Sequence, residues 1–218
     1  MTTHSPHSRF YLGLDLGQAR NFSAIAIAER RIETTGRSPV TFAPETTTRV
    51  IVHHLERIPL RTPYLEVVQR VQTLAHHPVF ENRRLEIVID STGVGAVIRD
   101  LLRDARLGVS EGRNIRIVPV TPTGGEHASL LHGDVLSVSS HDLLSNLRVL
   151  LEKRMLTIAV HGPASDALRT EFLRWGTRSA HDDLLFAVAI ACWRAGSPPR
   201  SLHGAGPIPH LFPAPSKS

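Results

Sequence analysis

Four aspartates in this chain stand where a charged group has no ordinary place. Asp15 lies in FYLGLDLG, where strand alternation sets Phe10, Leu12, Leu14 and Leu16 on one face and Tyr11, Gly13 and Asp15 on the other, so a carboxylate projects from an apolar segment. Asp90 closes the apolar run LEIVI of residues 85–89 and precedes the glycine turn STGVG. Asp182 and Asp183 open a stretch, LLFAVAIACW, that is apolar almost all round. A carboxylate drawn out of water needs hydrogen bonds, a counter-ion or a metal. Acids from a first strand, a central strand and a late helix suit an oxygen-seeking cation, Mg2+ or Mn2+. Two such ions about 3.5–4 Å apart activate a water and stabilise the leaving oxygen in phosphodiester hydrolysis. Asp15, Asp90 and Asp183 are therefore the candidate catalytic residues, and together with Asp182 the candidate ligands of two ions.

Each acid also has a plainer reading. Asp90 reads as a turn acid capping the helix after it, and Asp182 as the N-cap of the last helix or a partner of the ligand. The helix dipole keeps Asp183 ionised, as a metal ligand must be, and a second acid is not needed for capping; the roles of Asp182 and Asp183 are exchangeable at this level. His181 reads either as a loop residue or as a proton donor and phosphate contact. No Ser-His-Asp or Cys-His arrangement stands out, which agrees with a metal-activated water as nucleophile. The adjacent pairs His53-His54 and His76-His77 point in diverging directions, which speaks against a histidine-built metal site. The single cysteine, Cys192, excludes a disulfide scaffold and a cysteine-rich zinc site.

The elements that must position these acids follow from the periodicity. Residues 10–16 form a first strand, residues 23–28 an antiparallel return strand whose small side chains let a helix pack closely, and residues 47–58 a third strand, which makes a meander. Residues 31–46 read as a long hairpin loop or a functional excursion. Thr62 as N-cap and Pro63 at the first helical position begin a helix with the stripe Tyr64, Val67, Val68, Val71, Leu74 and Ala75. A buried strand over 85–90, a helix from about 96 to 107 and a strand over 115–120 come next. Residues 121–138 are Gly-rich and read as a mobile loop or small hairpin. A helix over 140–153, a short extended piece over 155–160, a helix after Pro163 carrying Leu168, Phe172 and Trp175, and a last helix from about 183 to 194 complete the series. Strand, helix, strand, helix after a meander gives an α/β fold, a mixed sheet with helices on both faces.

The 218 residues are 41% hydrophobic, enough for one substantial core. The expected organisation is a flexible arm over 1–9, one domain over 10–195, and a disordered Pro-rich tail over 196–218 whose composition cannot support a core. No apolar run approaches the roughly 20 residues that span a bilayer, and the first residues lack the apolar core of a signal peptide, so the expectation is a cytoplasmic protein with no membrane partner. The net charge of +5, carried mostly by arginine, fits either a polyanionic partner or a basic solvated surface.

Taken together, an hDhG strand followed by a hairpin, a strand ending IDSTGVG before a helix, the stretch SSHDLLSNLRVLLEKRMLTI and the late HDDLLFAVAIA helix resemble the nuclease domain of phage terminase large subunits, over roughly residues 10–195. That domain is RNase H-like and akin to RuvC-type resolvases. The resemblance implies a five-stranded sheet, three antiparallel strands then two parallel, and an acidic Mg2+ or Mn2+ site at Asp15, Asp90 and Asp183. It implies endonuclease action on double-stranded DNA with little sequence preference, in the cytoplasm of a bacterial host or phage-infected cell. The loop over 123–134, with His127 and His132, and Arg20 on the turn after the first strand are the candidate DNA contacts; Arg20 reads equally as an ordinary exposed charge.

Two departures matter. The family's further acid three residues after the last catalytic position is here Phe186, which makes Asp182 and His181 more interesting. No GxxxxGK[ST] phosphate loop occurs, so packaging needs a separate ATPase, with a portal or small terminase subunit as further partners. The chain is then a fragment of a larger terminase, a split gene product or a stand-alone nuclease. The rivals are a RuvC-like Holliday junction resolvase acting as a dimer, and a catalytically inactive RNase H-like DNA-binding module. An actin-like or sugar-kinase-like ATPase also begins on a DxG strand, but needs further glycine turns and a second domain.

Overall fold

The structure, a computed structural model, describes residues 8–17, 21–105, 107, 114–124, 129–130, 135–175 and 182–196. Its elements in order are β1 (Arg9–Asp15), β2 (Ser23–Arg37), β3 (Pro44–Ile58), α1 (Tyr64–Ala75), β4 (Arg84–Asp90), α2 (Val94–Asp104), β5 (Asn114–Thr123), β6 (Ser129–Leu130), β7 (Leu136–Ser139), α3 (Ser140–Glu152), β8 (Leu156–Ile158), α4 (Pro163–Arg174) and α5 (Asp183–Gly196). The strands form one sheet in the order β6-β7-β5-β4-β1-β2-β3-β8. Its centre is the expected five: β1, β2 and β3 are an antiparallel meander, while β4 joins β1 and β5 joins β4 in parallel. Three short strands widen it. Within 121–138 the hairpin reading holds for β6 and β7, and β7 adds itself in parallel to β5. The short piece after α3 is β8, parallel to the edge of β3.

Alternation along β1 and β4 divides the core into two layers. Phe10, Leu12, Leu14, Leu85, Ile87 and Ile89 meet α1 and α2 on one face. Tyr11, Ala24, Ala26, Ala28 and Val88 meet α3, α4 and α5 on the other. α5 lies across β2 and β1, and α3 and α4 pack against it in turn, which is why it is apolar on every side. The sheet floor beneath it is built of small residues. A Cβ placed on Gly13 would stand 2.1 Å from the Ala187 carbonyl oxygen, so only glycine lets the helix backbone come this near β1.

Several boundaries differ from the sequence reading. Most of 31–46 is strand: β2 continues to Arg37 and β3 starts at Pro44, with the turn closed by Ser38 N donating to Ala43 O at 2.9 Å. This outer part of the hairpin has no helix over it, so both faces are polar and the apolar alternation that marks a half-buried strand is missing. Thr62 does not cap α1; its hydroxyl donates to Pro59 O, and Pro63 holds the cap position. Arg9 is already part of β1 and not of a loose arm. α2 begins at Val94, after Gly93 in the left-handed region at φ 52°, where a side chain is strained. Of the expected arm over 1–9 and tail over 196–218, residues 1–7 and 197–218 lie outside the described residues, and Gly196 closes α5.

Candidate functional site

Two parallel strands put the first two acids side by side. The β1–β4 register pairs Leu14 with Ile89, and one step further along each strand come Asp15 and Asp90, both on the face carrying Tyr11, Val88 and α5. They stand at the carboxyl ends of adjacent strands, where open α/β sheets place ligands. The chain leaves Asp15 through Gly17, whose N–H donates to Ser23 Oγ at 3.1 Å and ties the turn to the start of β2. After Asp90 the Thr92 N–H donates to Asp90 Oδ1 at 2.8 Å, an Asx turn leading into α2. Asp90 is thus a turn acid in part, without being the cap of α2, which is Gly93.

α5 brings the remaining aspartates. The Asp182 carbonyl accepts the Phe186 N–H at 2.9 Å, so Asp182 holds the N-cap position by its backbone, while Asp183 is the first helical residue and is buried. Asp182 Oδ1 is buried with no hydrogen-bond partner. Phe186, one turn on, is a half-buried hydrophobe and supplies no donor.

Two further residues reach this corner that sequence reasoning missed. Glu171 on α4 is buried, and its Oε2 accepts the Leu185 N–H at 2.7 Å. Its Oε1 pairs with the Arg57 guanidinium from β3. Arg57 Nε also lies 3.7 Å from Asp183 Oδ2, and the guanidinium sits 5.0 Å over the Phe22 ring. The clue to Glu171 was present in the helical stripe: Ala164, Ala167, Leu168, Phe172 and Trp175 all pack toward the core, and Glu171 falls in their midst.

The charges act on one another. Burial pushes the Asp15 carboxyl up to about 8, helped by the negative charges of Asp183, Asp90 and Glu171, and a hydrogen bond from the Leu16 backbone opposes this only in part. Burial likewise pushes Glu171 up to about 7, against the pull of the Leu185 N–H and Arg57 and with the repulsion of Asp183 and Asp182. Asp15, Asp90 and Asp183 are therefore brought into one electrostatic neighbourhood. Arg20, His127, His132 and His181 lie outside the described residues.

The donor set fits a hard divalent cation. Every candidate is a carboxylate oxygen, the mutual repulsion would be relieved by positive charge, and Asp182 Oδ1 is a buried acceptor without a partner. Among the described residues no three His, Cys, Asp or Glu side chains are gathered tightly enough to form a finished metal cage. Nor is any helix among them long and apolar enough to cross a membrane.

Sheet order, crossovers and helix placement make this an RNase H-like fold. The structure is similar to the crystal structure of the large terminase nuclease from thermophilic phage G20c with bound magnesium, with a TM-score of 0.51 at 20% identity over 87% of this chain and 82% of that one. A further crystal structure of the G20c large terminase nuclease gives 0.46 at 18% identity over 86% and 83% of the two chains. Thermus thermophilus RuvC gives 0.36 at 14% identity over 85% and 92%. No family model matches the sequence, and no curated protein matches it. At these identities the likeness shows the fold.

Proposed function

We propose that the chain is a metal-dependent endonuclease of double-stranded DNA, with residues 10–195 as its nuclease domain, working like the nuclease part of a packaging terminase. The observation that carries this reading is the placement of Asp15 and Asp90 at the carboxyl ends of adjacent parallel strands, with Asp183 of α5 near enough for its charge to help raise the Asp15 carboxyl. Such mutual repulsion is unfavourable by itself and would be relieved by a dication. The magnesium bound by the phage G20c nuclease is in keeping with this assignment.

In this reading Asp15, Asp90 and Asp183, with Asp182, hold two Mg2+ or Mn2+ ions. When bound, the ions activate the attacking water and neutralise the departing oxygen. The protein supplies alignment: β1 and β4 fix Asp15 and Asp90 through the sheet ladder, and α5 fixes Asp183 through its close packing on Gly13. Arg20, His127 and His132 contact backbone phosphates, and His181 assists proton transfer. A packaging ATPase, portal or small terminase subunit would be the partners, in the cytoplasm of the infected cell.

Incubation of supercoiled plasmid with Mn2+, Mg2+ or EDTA tests the reading. Nicking and linearisation with a divalent ion, abolished in Asp15→Asn and Asp90→Ala, are the expected result. Plasmid left intact with each ion, alongside salt-sensitive DNA binding that survives both substitutions, would leave a DNA-binding module and end the catalytic claim.

A further inference from the structure

An N-cap side chain ordinarily accepts the N–H of the second or third helical residue. In α5 the third such residue is Leu185, and its N–H is taken by Glu171 Oε2 at 2.7 Å, from a different helix. The Asp182 side chain, which stands at the cap position and is of the favoured type, leaves Oδ1 buried with no hydrogen-bond partner. The other Glu171 oxygen, Oε1, is engaged by Arg57, so both of its oxygens serve protein partners. That guanidinium also approaches Asp183 Oδ2 at 3.7 Å, so one cation links the borrowed cap to the aspartate beside it.

We propose that Glu171 caps α5 from α4, held in place by Arg57, and that this exchange of caps is what leaves the Asp182 carboxylate available, alongside Asp183, to a divalent cation. The inference rests on the metal-site reading above and deepens it. Glu171 and Arg57 are positioning residues: they touch neither ion nor DNA, and act by setting the first turn of α5. An Asp182 bent back onto its own helix would have its oxygens directed at backbone N–H groups. With Leu185 already satisfied, the acid is released for ligation at the positive end of the helix dipole, where its charge is tolerated.

Two measurements on the full chain test this. The first needs no metal: amide hydrogen exchange at Leu185, followed by NMR in EDTA. Glu171→Ala is expected to speed exchange at that amide by about tenfold or more, whereas Glu171→Gln, whose amide oxygen still accepts, and Asp182→Ala leave it protected. The second is calorimetric titration with Mn2+. Asp182→Asn and Glu171→Ala should each weaken binding by about tenfold or more, and Glu171→Gln should recover most of the loss. Fast exchange at Leu185 in Asp182→Ala would identify Asp182 as the cap and overturn the proposal. So would unchanged Mn2+ affinity in Glu171→Ala, or a Glu171→Gln variant as weak as Glu171→Ala, since that marks Glu171 as a ligand. A wild type that binds Mn2+ yet leaves DNA intact would refute the nuclease reading while leaving the exchange of caps in place.

Discussion

Replacing Asp15 by asparagine should stabilise the metal-free protein while removing a ligand of the proposed metal site. In the folded chain the Asp15 carboxyl titrates near 8, against 3.8 for an ordinary aspartate, chiefly through burial and then through Asp183, Asp90 and Glu171. Between those two values the folded state holds a proton that the unfolded state has released. Stability therefore declines as pH rises, beginning near 3.8 and finishing near 8. At about 1.4 kcal/mol per pH unit, the rise sets a ceiling of roughly 6 kcal/mol on the decline. The side chain keeps some solvent contact, so a realised penalty of about 2 kcal/mol at pH 8 is expected. The neutral amide of Asp15→Asn cannot incur it. Urea denaturation in EDTA at pH 5 and pH 8 should show the wild type losing stability with pH and Asp15→Asn losing distinctly less. Adding Mn2+ at pH 8 should raise the wild type and not the variant, because a ligand stabilises only the form that binds it. Wild-type stability that is flat across this range in EDTA, with no gain in Asp15→Asn, would refute the picture of a dry, self-repelling acid cluster.

Arg57→Ala strands the buried Glu171 carboxylate and should lower stability by about 3 kcal/mol in chemical denaturation, far beyond the loss from a surface ion pair. Gly13→Ala forces a methyl to 2.1 Å from the Ala187 carbonyl oxygen; α5 must lift from β1, and a large fall in melting temperature with loss of cleavage is expected. Glu86→Ala leaves Arg194 buried without its 2.6 Å partner and should cost about 3–5 kcal/mol, read by urea titration. Burial pushes the Cys192 thiol up to about 12, so a thiol reagent at pH 8 should label it only after denaturant is added.

The acids that were legible in the sequence were those that broke an apolar pattern. Asp15 interrupts an alternating strand, Asp90 ends an apolar run, and the last aspartates precede a helix with no polar face. Glu171 breaks a pattern as well, but α4 carries charged residues on its other faces, and one more acid among them does not stand out until the stripe is drawn. Arg57 was hidden for another reason: its role comes from α4 reaching β3 across more than a hundred residues of chain, and no local period encodes that. The outer hairpin was misread because a ladder solvated on both faces has the composition of a loop. The central sheet was readable because β1, β4 and the inner half of β2 are covered on both faces or floored with small residues, and burial of that kind writes itself into residue type.

α5 is fastened at both ends as well as along its length. Its 14 residues make a rod about 21 Å long, with the aspartates at one end and Arg194, clasped by Glu86 on β4, at the other. The glycine and alanine floor lets its backbone sit close on β1 and β2, while its larger side chains are held among α3 and α4. The terminal ion pairs add to its lengthwise registration, much as end stops locate a shaft. Alignment at an ion-binding end is tolerant only to about 0.5 Å. In the site proposed above, the Glu86–Arg194 clasp would thus help to hold, from the far end of the helix, the spacing between Asp183 and the strand-borne Asp15 and Asp90.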